Sequence, residues 1–340
     1  MSPGKGSTLQ LTGRLTGLLG IGTLLLLSVL LSVSVGSAML DLPTVLSALF
    51  SPDGSIASVT VAEVRVPRTV LALIIGAALG IAGGLMQAMT NNPLADPGLL
   101  GINAGASFAV AVGIGVFGIS SIGTSVWWSM GGTVVAAVLL YLVATRGPIG
   151  ATPVRLTLVG AALSAVFTGA SMALTYLNPM TFERMRFWLV GSVTDRPVGT
   201  IEHVGWFVLA GLLLAVWCVR GLNALALGDD VARSLGVNVV LTRVLVLGAI
   251  VLLCGAATAA AGPIVFVGLM IPHLARRLFG PDQRWIMAAS MLLAPLLVLV
   301  ADLVGRFIVW PAELRVGIVT ALVGAPVLIA MVRGTKKESW

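Results

Sequence analysis

Long apolar runs separated by short polar stretches make up most of the chain. Most of these runs approach the roughly 20 residues that a helix needs to cross a bilayer, so the pattern predicts an all-α, polytopic membrane protein with about ten transmembrane helices. The runs lie at about residues 15–38, 69–89, 99–118, 126–145, 156–177, 200–219, 241–261, 263–275, 285–304 and 315–332. The eighth run is short, which predicts a broken or partial helix.

The first run ends in Gly36-Ser37-Ala38, small residues of the kind found at signal-peptide cleavage sites. A signal peptide is therefore one interpretation of this run. Because many further spans follow, an uncleaved first transmembrane helix is the preferred interpretation.

The composition agrees with a membrane protein. Hydrophobic residues make up 58% of the 340 positions and Asp, Glu, Lys and Arg only 10%, whereas soluble domains carry about 25% charged residues. The same shortage of charge argues against a disordered chain. The net charge of +7 could suggest a nucleic-acid partner, but the 20 basic residues are scattered singly between apolar runs, so we expect none.

The basic residues also predict an orientation. With the N-terminus inside and an even number of crossings, 13 of the 20 Lys and Arg residues fall on the cytoplasmic side and seven outside. This excess has the sign that the positive-inside rule requires. We therefore expect both termini in the cytoplasm.

The sequence lacks the signatures of several functions. It has no Gly-x-x-x-x-Gly-Lys-Ser/Thr motif for a nucleotide, and it has almost no ionisable residues in mid-span, where an ion-coupled carrier usually needs them. No nucleophile–base pair or paired carboxylates occur within the spans, so no catalytic residue is proposed. Cys218 and Cys254 lie in apolar runs and His203 and His273 at span ends, which predicts no disulfide and no metal site. The chain is expected to be a conduit that takes its energy from elsewhere.

Glycine patterns predict close helix packing. Gly76, Gly80 and Gly84 on the second run, and Gly101 and Gly105 on the third, form small-xxx-small motifs. Such motifs let helix backbones approach one another in a membrane.

Two arginines flank Pro67 at the outer start of the second span. Arg65 and Arg68 are three residues apart and are expected on one side of the helix. They could be interface arginines whose charged heads reach water. Because basic residues are disfavoured outside, an acidic extracellular partner is the other interpretation.

A polar turn at residues 87–101 connects the second and third spans on the cytoplasmic side. Pro93 and Pro97 prevent either helix from continuing through it. A simple hairpin loop explains the prolines and Asp96, but it does not explain why so much of the connection is apolar.

The largest cytoplasmic connection is Leu227–Val237. Asp229 is expected to cap a short helix and Gly236 to end it in the left-handed conformation. Val231 and Leu235 then form an apolar stripe. A two-turn helix is marginal alone in water, so we expect it to pack on a partner, with an ordinary interfacial loop as the alternative.

Several long motifs, in order along the chain, closely resemble the FecCD family, the permease subunits of ATP-binding-cassette importers for iron-siderophores, haem and vitamin B12. The segments that carry the resemblance are Arg65–Ala106, Leu227–Val237, Gly262–Arg276, Ala301-Asp302 with Arg306, and Glu313–Pro326. Two local departures are Asn91, where the family usually has Arg, and Arg315, where it usually has Pro.

The resemblance implies a single transmembrane domain, 1–340, with the fold of a vitamin B12 importer permease, in the bacterial cytoplasmic (inner) membrane. It also implies three kinds of protein partner: a second permease subunit, identical or homologous; two ATPase subunits; and an extracytoplasmic substrate-binding protein. ATP and Mg would be bound by the ATPases, and this chain would bind no cofactor.

The resemblance also implies residue roles. The docking residues for the binding protein would be Arg65, Arg68 and Arg306. The ATPase-coupling segment, about 220–240, would act through Gly228, Asp229, Asp230, Arg233, Leu235 and Gly236. Asn92 and Leu94 would line the cytoplasmic gate. A weaker candidate for pathway lining is one side of the fifth span, with Ser164, Thr168 and Ser171; interhelical hydrogen bonding is the alternative there.

The expected function is that of a permease importing ferric siderophores. Haem or a cobalamin is the alternative substrate within the family. An ion-coupled secondary transporter is the alternative from a different class.

Overall fold

The computed structural model describes residues 5–36, 39–146, 153–194, 196, 199–309 and 312–335. The regular secondary structure of this part of the chain is entirely helical, as predicted. Its α-helices are α1 (Lys5–Ser34), α2 (Leu42–Phe50), α3 (Ile56–Val59), α4 (Val66–Thr90), α5 (Ile102–Gly115), α6 (Ile122–Thr145), α7 (Pro153–Leu177), α8 (Pro179–Trp188), α9 (Gly199–Leu225), α10 (Asp229–Ser234), α11 (Val239–Ala261), α12 (Val267–Phe279), α13 (Gln283–Ile308) and α14 (Val316–Thr335). A π-helical turn, Thr60–Arg65, leads into α4, and a 3₁₀ turn, Pro97–Leu100, precedes α5.

The chain is a multi-pass membrane protein. Seven helical segments of the described chain are long and apolar enough to cross a bilayer, and α5 and α14 are shorter apolar helices. Each of the ten predicted runs overlaps a helix. The short eighth run corresponds to α12, a 13-residue helix with Pro272 inside it. The first run forms α1, which packs against α13; Ser37 and Ala38 of the proposed cleavage site lie outside the described residues.

Helix α4 is the centre of the bundle. It is buried along most of its length and contacts α9, α11, α12 and α13, as expected for a helix that is apolar on every side. Glycine makes these contacts possible: a Cβ at Gly76 would lie 2.5 Å from Pro295 Cα, and one at Gly80 would lie 2.9 Å from the Ser290 carbonyl oxygen. Gly84 has looser neighbours, and the closest backbone approach is instead between Gly83 and Gly268.

Two breaks in the helices meet inside the bundle. Helix α4 ends at Thr90; the next residue, Asn91, has a φ of 48°, and the chain then turns back and buries Ala95. The second break, between α11 and α12, contains Phe266, with a φ of 69°. The two breaks come together where Pro97 lies 3.3 Å from the Cβ position of Gly268. Residues 92–101 thus return into the bundle, and we call them the re-entrant segment. Their burial explains why the 87–101 connection is so apolar, so the hairpin-loop interpretation of the whole segment is wrong.

The bundle has two ends. The Arg68 end contains the start of α4, helix α8, the end of α13 and the start of α14. The α10 end contains α10, the end of α9 and the start of α13, where the Asn223 amide donates to Asp282 Oδ1 at 2.9 Å. Helix α8 was not predicted from the sequence; Asn178 caps it by accepting the backbone N–H groups of Met180 and Thr181.

Candidate functional site

The three arginines predicted to dock a binding protein lie inside the chain. Arg65, Arg68 and Arg306 are only 5%, 9% and 4% exposed. Charged side chains are almost never this buried unless they are paired, and all three have partners within the protein. The expectation that they present free charge at the surface, whether to a partner or to water, is therefore wrong.

Asp302 is the centre of this buried cluster. Its Oδ1 lies 2.7 Å from Arg68 Nη2 and its Oδ2 lies 2.6 Å from Arg306 Nη2. Arg68 Nη1 forms a further ion pair, at 2.7 Å, with Glu313 Oε2 in the segment before α14. Two acids thus balance two arginines, which is the condition for keeping such charges in a low-dielectric interior. The cluster fastens α4, α13 and the start of α14 together.

Two of the arginines also close the end of α1. Arg65 Nη1 donates to the carbonyl oxygens of Val33 and Ser34, at 2.9 and 2.6 Å. Arg306 Nη1 donates to the carbonyl oxygen of Ser32 at 2.8 Å. The last carbonyls of a helix have no partners within it and carry the negative end of its dipole, so basic groups stabilise that end. These contacts attach α1 to α4 and α13.

Helix α10 forms where the coupling helix was predicted, but its ends are built differently. Asp229 is the first helical residue, after Gly228 with a φ of 104°. Asp229 is therefore not the cap that we expected; its Oδ1 accepts a hydrogen bond from Arg243 Nη2 at 2.9 Å and so ties α10 to α11. Gly236 has a φ of 80° and ends the segment in the predicted left-handed conformation.

The predicted apolar stripe of α10 is exposed. Val231 is 44% and Leu235 62% exposed, while Ala232 is buried against the bundle. Asp230 and Arg233 form a 3.1 Å surface ion pair beside the stripe. Within the described part of the chain nothing covers the stripe, so this surface is suited to a protein partner.

The predicted gate residues belong to the turn that leads into the re-entrant segment. Asn92 is exposed and its Oδ1 accepts the Leu94 N–H at 2.9 Å, which holds the turn closed locally. Leu94 is half-buried. Beyond them, Asn103 Oδ1 accepts the hydroxyl of Thr258 on α11 at 3.0 Å. The gate residues thus lie in the first of the two helix breaks, and their gating role stays a prediction.

The proposed lining residues share helix α7. The hydroxyl of Ser164 donates to the Gly160 carbonyl at 2.9 Å and that of Ser171 to the Phe167 carbonyl at 2.7 Å. Both of these bonds lie within α7, and the alternative of interhelical hydrogen bonding stays a prediction. Thr168 is exposed on the surface of the chain. Their role in lining a pathway stays a prediction.

Comparison with known sequences shows matches over nearly the whole chain. The FecCD transport family matches residues 24–334. The ferric enterobactin transport system permease of Escherichia coli (strain K12) is 45% identical over 314 residues, which cover 92% of this chain and 94% of that protein. An iron(3+)-hydroxamate import system permease of Bacillus subtilis (strain 168) is 35% identical over 317 residues, covering 92% and 82%.

A solved structure also resembles the chain. It is described as a metal-chelate type ABC transporter in an inward-facing conformation. The two structures superpose with a TM-score of 0.81 at 27% sequence identity, over 94% of this chain and 99% of the other.

Proposed function

We propose, from the premise that this chain belongs to the FecCD transport family, that it imports ferric siderophores across a bacterial cytoplasmic membrane. The chain is a permease subunit of an ATP-binding-cassette importer, and it is not an enzyme, because ATP hydrolysis in such importers belongs to a separate subunit. The observation that carries the choice of substrate is the 45% identity to a permease named for ferric enterobactin.

The proposed assembly contains two permease subunits, two ATPase subunits that bind ATP and Mg, and a substrate-binding protein on the outer side. In this assembly the chain is one permease domain with both termini in the cytoplasm. The α10 end then faces the cytoplasm and the Arg68 end faces the outside. The exposed apolar stripe of Val231 and Leu235 supports ATPase docking at α10, since burying exposed apolar surface favours association.

The residues of the Arg68 end have an indirect role in this proposal. Arg65, Arg68 and Arg306 hold the outer ends of α1, α4 and α13 in place, and the binding protein docks on the surface that these helices support. Asn92 and Leu94 form the cytoplasmic gate. The exposed side of α7 around Thr168 faces the substrate pathway.

The test is uptake of ⁵⁵Fe-labelled ferric siderophore by proteoliposomes that contain the chain, its ATPase and its binding protein. Uptake should require ATP inside the vesicles and should continue when ionophores collapse the proton and sodium gradients. Uptake driven by an ion gradient without ATP would instead establish a secondary transporter. Labelled haem and cobalamin, offered with the same binding protein, test the alternative substrates.

The coupling surface has its own variant. Leu235→Asp places a charge in the proposed apolar contact, so it should abolish uptake and retention of the ATPase during purification. Leu235→Met keeps the apolar contact and should behave like wild type. Leu49→Asp, at a residue that is 43% exposed on α2 and far from α10, is the matched control. Normal ATPase retention in Leu235→Asp would show that the ATPase does not dock on the α10 surface.

A further inference from the structure

A cavity of about 650 Å³ lies at the Arg68 end of the bundle. Its walls come from the start of α4, from α8 and from the segments that precede α9 and α14. Besides Arg68 on α4, three arginines on separate elements line it: Arg184 on α8, Arg196 before α9 and Arg315 before α14. We call this cavity the basic vestibule. Ser192 and Thr194 add small polar groups to its wall.

The described side chains that line the vestibule carry a net positive formal charge. Among the described residues that line it, Glu313 is the one acid, and it is already paired with Arg68 at 2.7 Å. Arg68 is held in addition by Asp302. Arg184 donates to a neutral acceptor, the Ile119 carbonyl oxygen at 2.7 Å, and this bond leaves its charge in place. The described lining thus contains four arginines against one acid.

The shape of the vestibule suits a compact ligand. Its volume falls within the roughly 300–1,000 Å³ that is typical of small-molecule sites. A cleft lined by charge of one sign, with low-dielectric walls, concentrates ions of the opposite sign. Guanidinium groups bind paired oxygens through two parallel N–H donors, and they also stack on aromatic rings. An anion with several outward oxygens or aromatic rings fits a cavity of this volume that is lined by arginines.

We infer that the basic vestibule is the site at which the permease first receives its substrate, and that it selects metal chelates with a net negative charge. This inference rests on the proposed function and narrows its substrate class. Each catecholate group brings two negative charges to iron(III), so a tris-catecholate complex stays anionic. Each hydroxamate brings one, so a tris-hydroxamate complex is neutral. The relatives include permeases named for ferric enterobactin and for iron(3+)-hydroxamate, so membership of the family does not fix one kind of chelate.

The experiment replaces the charges and keeps the polarity. The triple variant R184Q/R196Q/R315Q is reconstituted with the ATPase and the binding protein, and initial uptake of a ⁵⁵Fe tris-catecholate chelate is measured at saturating binding protein. We expect kcat/KM for uptake to fall at least ~10-fold and the remaining uptake to lose its dependence on ionic strength. The matched control is Arg186→Gln, on the same helix α8, because Arg186 is half exposed and pairs with Glu183 at 2.6 Å. It should transport like wild type.

Three further measurements separate the outcomes. Size-exclusion chromatography and basal ATP hydrolysis verify that the triple variant assembles. If the triple variant does not assemble, the single variant Arg184→Gln takes its place, because Arg184 is exposed. The affinity of the binding protein for each variant is measured separately; a loss of that affinity, with normal uptake at saturation, would make the arginines a protein-docking surface and overturn the inference. If the wild-type protein imports a tris-catecholate chelate and the triple variant imports it equally well, the inference is overturned and the proposed function stands. If wild-type protein carries no ferric chelate at all, both fail.

Discussion

Replacement of Asp302 by Asn tests the buried charge cluster most directly. Asp302 is 1% exposed and is the shared partner of Arg68 and Arg306. In Asp302→Asn the shape of the side chain is kept, but its charge is lost and an N–H₂ group can face the guanidinium groups. Arg68 keeps Glu313, whereas Arg306 loses its ion-pair partner in the cluster.

The magnitude follows from the burial of all three groups. Removing one partner of a buried ion pair costs about 3–5 kcal/mol, because the remaining charge stays in the interior without compensation. For chains of this size a loss of 1 kcal/mol lowers Tm by about 2 °C, so we expect a decrease of roughly 6–10 °C. The second arginine increases the penalty, and the carbonyl partners of Arg306 at the end of α1 reduce it.

Thermal unfolding of the purified protein in one detergent measures this effect. Asp41→Asn, an exposed acid just before α2, is the matched control and should change Tm by less than about 1 °C. The double variant R306M/D302N removes the cation that Asp302→Asn leaves without an ion-pair partner together with the acid, so its loss of stability should be smaller than the sum of the two single losses. A Tm for Asp302→Asn that equals that of Asp41→Asn would refute the reasoning.

Two further predictions concern packing and a helix cap. Gly83→Ala should strongly destabilise the bundle, because the added Cβ would collide with the Gly268 backbone. Gly248→Ala is the control, because a Cβ there would have no atom within 4 Å, and it should leave Tm in detergent nearly unchanged. Burial alone would raise the pKa of Asp282, but hydrogen bonds from the Arg284 N–H and the Asn223 amide and nearby arginines hold it lower than usual. The ionised Asp282 carboxylate therefore contributes to the stability of the fold at neutral pH, and this stabilisation is lost as pH falls through the lowered pKa. Asp282→Asn should thus lower Tm at pH 7 and flatten the acid limb of the Tm–pH curve.

The helices were predictable because their signal is local. A run of apolar residues about as long as a bilayer is thick specifies a membrane helix without knowledge of its neighbours. The small-xxx-small pattern likewise identified Gly76 and Gly80 as contact points, since only a residue without a side chain allows the observed approach to Pro295 and Ser290. The same pattern could not show that the tightest contact with α12 is made at Gly83 and not at Gly84.

The arginine cluster was not predictable from local sequence. Arg68 and its partner Asp302 are 234 positions apart, and the carbonyl partners of Arg65 lie 31 and 32 positions before it. Nothing near Arg65 or Arg68 in the sequence shows these partners, so the arginines resembled exposed cations. The one local hint was the spacing of Asp302 and Arg306, four residues apart on the same helix.

The remaining structural consequence is a continuous connection between the α10 end and the helix breaks. The 2.9 Å ion pair between Asp229 and Arg243 ties α10 to α11. Fifteen residues further along the same helix, about 22 Å at 1.5 Å per residue, Thr258 holds Asn103 at the start of α5. Asn103 follows the re-entrant segment that begins at the proposed gate turn. Because one helix joins the two contacts, we expect a displacement of α10 by a bound partner to act on that segment through α11. Neither contact was visible from the spacing of residues in the sequence.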